Sequence, residues 1–126
     1  MIQSSTAAAA EATAGLPPGA TVLQVLPAMG QGGVERGTIE IARAIVEAGG
    51  RALVASAGGP NVARLHRVGA EHIDLALASK NPRRILANRA HLAALIKHRG
   101  VSLVHARSRA PAWAAVAAAR RCRVPF

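Results

Sequence analysis

Apolar and polar positions along this 126-residue chain follow two alternating periods. Short apolar runs of strand length cover Val22 to Leu26, Arg51 to Ser56, His72 to Ala76 and Val101 to Ala106. Between them, apolar residues return every three or four positions, the period of an amphipathic helix. Val34 to Ala48 carries Val34, Thr38, Ile41, Ile45 and Ala48 on one side and Arg36, Glu40, Arg43 and Glu47 on the other, and stops at Gly49-Gly50. After the turn Gly58-Gly59-Pro60, a short helix over Asn61 to Val68 is capped by Asn61 or by the turn itself, and Gly69 ends it. Asn81 and Pro82 supply the cap and first position of a helix reaching His98. Ile85, Leu86, Arg89, Leu92, Ala93 and Ile96 mark one face of it, and Gly100 ends it. Pro111 opens an Ala-rich helix to about Cys122, and Val124-Pro125-Phe126 begins another strand.

Strands alternating with helices predict βαβ units, hence an α/β Rossmann-like parallel sheet with helices on both faces. In the common doubly wound order, 3-2-1-4-5, the first and fourth strands are neighbours and a ligand crevice opens where the order reverses. The turn at Gly30 to Gly33 follows the first strand, and His105-Ala106-Arg107-Ser108-Arg109 follows the fourth. Both are expected at one cleft. With a fifth strand only begun, the fourth is expected to be an unprotected apolar edge, so the chain is expected to be part of a larger protein. Residues 1–20, rich in Ala, Ser and Thr, are expected to form a flexible leader before a domain over 21–126.

Charge narrows the partner. Sixteen Lys and Arg against six Asp and Glu leave a formal net charge of +10, which favours an anion. Trp113 and Phe126 are the only aromatic residues, so no stacking platform exists for single-stranded nucleic acid, and no nucleic-acid partner is expected. Cys122 is alone, which fits a reducing compartment and excludes a disulfide framework. No apolar run approaches the ~20 residues that span a bilayer, and the expected location is cytoplasmic.

Gly30, Gly32 and Gly33, with Val34 opening the helix, form a turn that allows close approach of a phosphate to backbone N–H groups. The spacing is not that of the dinucleotide fingerprint. The second strand ends in Ser56-Ala57-Gly58-Gly59, with no carboxylate where a ribose would be bound. Glu35 stands in the first helical turn, favoured by the dipole by about 0.3–1 kcal/mol, and is equally a ligand candidate. Arg36 either reaches an acid in the cleft or pairs with Glu40 at i,i+4. His105, at a strand's carboxyl end, is a titratable candidate or a backbone-bonded histidine. Arg107 and Arg109, flanking Ser108, are suited to phosphate or carboxylate. His66, His72, His91 and His98 have no metal-ligand spacing, so surface or helix-end roles are expected. Arg83, Arg84, Arg89, Lys97 and Arg99 make one helix basic, either a face for an anionic membrane or a solvated surface.

Val22-Leu23-Gln24-Val25-Leu26-Pro27, followed by Gly32-Gly33-Val34-Glu35-Arg36, resembles the opening of GT4 glycosyltransferases, retaining enzymes of GT-B fold. His105-Ala106-Arg107-Ser108-Arg109-Ala110-Pro111-Ala112-Trp113 is similar to that family's segment after the fourth strand, particularly in members that build lipopolysaccharide core and surface glycans. The resemblance implies an acceptor-side, amino-terminal domain of a metal-independent hexosyltransferase. A sugar would pass from a nucleotide-sugar donor to a lipid-linked or carbohydrate acceptor. It implies that Gly30, Gly32, Gly33 and Val34 lie against donor diphosphate and acceptor, and that Glu35, Arg36, His105, Arg107, Ser108 and Arg109 serve the acceptor or an anion. Catalytic residues are expected beyond Phe126, so these 126 residues alone are expected to be inactive. A dinucleotide-binding domain and a basic anion-binding module are the competing readings.

Overall fold

Two stacked helical layers enclose one small parallel sheet in the computed structural model, which describes residues 19–30, 33–77, 79, 81–106 and 117–125. The elements are β1 (Thr21–Val25), α1 (Gly33–Glu47), β2 (Arg51–Ser56), α2 (Val62–Arg67), β3 (Glu71–Asp74), α3 (Pro82–Arg99) and β4 (Leu103–Ala106), with further helix at 117–122. The order is β3-β2-β1-β4 and all pairings are parallel, as the alternating pattern requires. Val25 pairs with Ala55 on one side and Ala106 on the other, so β1 is central and its carboxyl end lies at the reversal point.

Strand alternation divides the interior. Leu23, Val25, Leu53, Ala55 and Val104 face Leu92, Ala93 and Ile96 of α3 and Ala118 and Ala119 of the last helix. Val22, Ala52 and Val54 face Ile39, Ile41, Ala42 and Ile45 of α1 and Leu65 of α2. Successive side chains of a strand point to opposite faces, so a continuous apolar run is what a sheet covered twice demands.

Each helix returns to the sheet through a left-handed residue. Gly49, Gly69 and Gly100 have φ of +88°, +90° and +63°. The next residue's N–H then bonds back into the helix, from Gly50 to Ile45, Ala70 to Leu65 and Val101 to Ile96, at 2.9–3.0 Å. The last helix does the same without glycine. Arg123 adopts φ +57°, and the Val124 N–H donates to the Ala119 carbonyl at 2.9 Å.

Several expectations are corrected. In α3, Leu92, Ala93 and Ile96 are buried, but Ile85, Leu86 and Arg89 are exposed and Asn88 is buried instead. The Asn88 amide donates to the Ala76 carbonyl at 3.0 Å, so the amino-terminal half of α3 packs on a connecting segment through a polar contact. In α1, Val34 and Ala48 are exposed, while Ile39 and Ala42 join Thr38, Ile41 and Ile45 inside. β3 begins one residue early and is short, and β4 starts at Leu103 because Val101 serves the helix cap. The edge at β4 is partly covered, since the Val104 N–H donates to the Pro125 carbonyl at 2.8 Å. Ala20, placed in the expected leader, is buried, and its carbonyl accepts from the Arg51 N–H at 2.8 Å.

Candidate functional site

The site is built where the connections after β1 and β2 meet. Because these strands are neighbours, the two connections must lie side by side, and they are stitched together. The Leu26 N–H donates to Ala55 at 3.1 Å, Ala57 to Pro27 at 2.8 Å, Met29 to Gly58 at 2.8 Å and Asn61 to Met29 at 3.1 Å. The Asn61 side chain adds a fifth link by donating from Nδ2 to the Gly30 carbonyl. Of the two caps expected for α2, Asn61 or the turn before it, the Asn61 side chain makes no capping bond, and the turn serves, with the Gly59 carbonyl accepting from the Val62 N–H. Asn61 clamps the loop that leads into α1.

Glycine is required at 59 for a reason of shape. Its φ of +145° is closed to other residues, and a Cβ there would collide with the Met29 carbonyl oxygen. Gly30 and Gly33 are different. Neither has positive φ; a Cβ on Gly33 would meet nothing within 4 Å, and one on Gly30 only the Glu35 Oε1 at 3.9 Å. The described fold therefore leaves room for a side chain at both positions, and beside them the first N–H groups of α1 point outward unpartnered by the helix. Glu35, half-buried in the first turn, brings its carboxylate against Gly30.

Beneath the loops the α1 side of the sheet turns polar. Gln24 is fully buried, and its Nε2 donates to the Thr38 carbonyl at 3.1 Å, while Oε1 has no partner among the described residues. Register sets His105 of β4 beside Gln24, so β1 and β4 deliver those residues to one side of the crevice. Ser56, at the end of β2, accepts from the Gly58 N–H at 3.1 Å and lies 2.7 Å from His72 Nε2. His72 was expected at the surface; instead it is half-buried, and burial lowers its pKa, with Asp74 opposing and His66 reinforcing the shift. The hydrogen bond between the neutral imidazole and the Ser56 hydroxyl, whose direction follows the imidazole tautomer, orients the last residue of β2.

Arg36 does not pair with Glu40; both line a groove between α1 and α2. Arg99, expected in the basic face of α3, is held by both carboxylate oxygens of Glu71. Arg83, Arg84, Arg89 and Lys97 are exposed. Gly32, Arg107, Ser108 and Arg109 lie outside the described residues. No group of three or more potential metal ligands occurs among the described residues. No described helix is long and apolar enough to cross a membrane. Asn61, Gly59 and the Ser56–His72 pair are the positioning residues that sequence periodicity missed. The signal was the Gly58-Gly59-Pro60-Asn61 turn following a strand adjacent to β1.

A three-layer α/β domain with a glycine turn clasped at the switch point of its sheet is a ligand-binding class of fold. The model of glycosyltransferase family 4 matches residues 31–126, and the chain belongs to that family. The structure is similar to a glycosyltransferase from Rickettsia africae ESF-5, with 42% identity and a TM-score of 0.77 over 86% of this chain. The chain spans 28% of that protein's length. The carboxyl-terminal domain of the PF1911 hydrogenase from Pyrococcus furiosus shares the fold, at 14% identity and a TM-score of 0.62 over 87% of this chain and 92% of that one. No curated protein matches the chain.

Proposed function

We propose that this chain is the acceptor-side domain of a retaining, hexosyl-transferring glycosyltransferase. In this reading a sugar passes from a nucleotide-sugar to a lipid-linked or carbohydrate acceptor during cell-envelope glycan synthesis, without a metal. The work is done in the cytoplasm, at the inner face of the membrane. The observation that carries the reading is the contrast among the glycines. Gly59 is demanded by the fold, whereas Gly30 and Gly33 are small where the described fold has space, which suits close approach of a diphosphate or acceptor hydroxyl to the backbone. Membership of family 4 supports sugar transfer as the chemistry. Glu35 and Arg36, at the start of α1, and His105, beside Gln24, are the acceptor-facing candidates, with Arg107, Ser108 and Arg109 completing them.

By the family resemblance the catalytic residues are not among these candidates. Sugar transfer is therefore measured in the native protein that carries this sequence. Gly33→Val is the informative variant, because a Cβ at that position meets no described atom within 4 Å. Transfer is expected to fall by about tenfold or more, as obstruction of a bound ligand implies, with thermal stability unchanged. Full transfer by Gly33→Val would refute a ligand at this turn. Against a dinucleotide reading, β2 ends in Ser56, whose hydroxyl is engaged by His72 and Gly58. Saturable NAD binding would restore that reading.

A further inference from the structure

α1 and α2 lie on the same face of the sheet, and a groove of about 380 Å³ opens between their outer flanks. That volume is within the range of small-ligand clefts. Four arginines line it: Arg36 and Arg43 from α1, Arg64 and Arg67 from α2. Glu40 is the one acidic residue of the lining, which leaves a net charge of +3, four guanidinium groups against one carboxylate. None of the four guanidinium groups makes a hydrogen bond or ion pair among the described residues, although Glu40 is one turn from both Arg36 and Arg43. Arg99 shows the contrast, being chelated by Glu71 on another part of the surface. Four like charges gathered at one groove repel one another unless an anion joins them.

The layout specifies the anion. Arg36 and Arg43 are seven residues apart on one helix, a rise of about 10 Å, while Arg64 and Arg67 stand one turn, about 4.5 Å, apart on the other. This is an elongated array, longer than a single carboxylate or phosphate can bridge. Guanidinium forks bind phosphate oxygens in pairs, more specifically than ammonium groups do. Ile39, 7% exposed, and the half-buried Val68 give the groove an apolar component that reduces competition from water. We propose that the groove between α1 and α2 is an anion site apart from the glycine turn, sharing only Arg36 with the acceptor-facing candidates, and that it takes a ligand bearing two or more phosphate groups. Free polyphosphates and clustered phospholipid headgroups share that chemistry. The inference stands on the groove alone and does not depend on sugar transfer.

Calorimetric titration of the full chain with tripolyphosphate, in phosphate-free buffer of low ionic strength, tests the site. In parallel, sedimentation with phosphatidylglycerol vesicles is compared with phosphatidylcholine vesicles. Arg43→Gln/Arg64→Gln is expected to weaken binding by about tenfold or more, the loss of two charge-assisted contacts. Arg51→Gln/Arg121→Gln removes the same charge from exposed positions outside the groove and is expected to change binding less than about twofold. Melting curves confirm that both pairs stay folded. Groove-dependent binding of tripolyphosphate without vesicle binding assigns a free ligand; groove-dependent vesicle binding assigns lipid headgroups. Equal losses in the two pairs, insensitivity of both, or no saturable binding of either probe would overturn the site.

Discussion

The two faces of the sheet are built to different rules although the same strands supply both. Toward α3 the interior is mostly apolar, with Leu23, Val25, Leu53, Ala55 and Val104 closed over by leucine, isoleucine and alanine, and Thr21 and Asn88 its buried polar members. Toward α1 and α2 the same strands carry Gln24, Ser56, His72 and His105 among the aliphatic residues, and the loops of the candidate site are attached on that side. The difference teaches where specificity was spent. An apolar face needs only volume and pattern, while a polar one fixes individual atoms. Leu23 and Gln24, adjacent in sequence and both fully buried, stand for the two rules.

The largest effect is expected on the apolar side. Leu23→Ala removes a buried side chain at the centre of the sheet and should cost about 2–5 kcal/mol, measured by urea denaturation. A loss below about 1 kcal/mol would mean that this face collapses around the gap. Gly59→Ala acts on the clasp. Its cost is strain at a backbone region closed to other residues, about 1–3 kcal/mol, raised further by the collision with Met29. Hydrogen exchange should quicken at Met29 and Asn61, whose N–H groups close the loop pair, before it quickens in the strands. Uniform quickening would show that the clasp is inseparable from the core.

The two rules also explain what could be seen in the sequence. Strand order, parallel pairing and the partition of apolar residues follow from period and length, so β1, β2, α3 and the reversal between β1 and β4 were legible. The adjacency of the carboxyl ends of β1 and β4, at Val25 and Ala106, was legible for the same reason, since it is a property of topology. Asn61 was not. Its place after Gly-Gly-Pro and before a helix suits a cap, and only the adjacency of the two connections redirects its amide to Gly30. His72 was missed because alternation decides its face, and a shift of the expected strand by one residue hides that its partner is Ser56. The exposed Ile85 and Leu86 mislead in the opposite sense, because helical period predicts a stripe but not how much of the helix overlies the sheet.

A titration separates the faces by pH. His72 is depressed below the ordinary imidazole value, chiefly by burial. The unfolded chain therefore binds this proton more readily, so stability is full above the unfolded pKa, about 6.5, and is lost progressively as pH falls toward the lower folded value. On protonation the imidazole can only donate in its bond to Ser56. Thermal melts between about pH 7.5 and 5 should show a decline that His72→Gln diminishes, with Leu23→Ala melting lower at every pH but with the wild-type slope. An identical slope in His72→Gln would place the sensitivity on another group.

Gln24→Leu is expected to have the smallest effect, and it tests the contrast most directly. The substitution removes the Nε2 bond to the Thr38 carbonyl, worth about 1 kcal/mol, and removes the buried Oε1 that lacks a described partner, a group whose desolvation costs about 1–3 kcal/mol. The side chains are close in size, and Ile41, Ala42 and Ile45 supply apolar neighbours on that face. The two terms oppose, and the net change should fall between zero and about 2 kcal/mol of added stability in urea denaturation. A gain would show that Gln24 is retained at a cost to folding, and a polar group retained in that way next to His105 points to a role at the crevice. A loss of about 2 kcal/mol or more would instead make Gln24 a structural tie between β1 and α1, and the polar face would then owe its composition to packing rather than to the site.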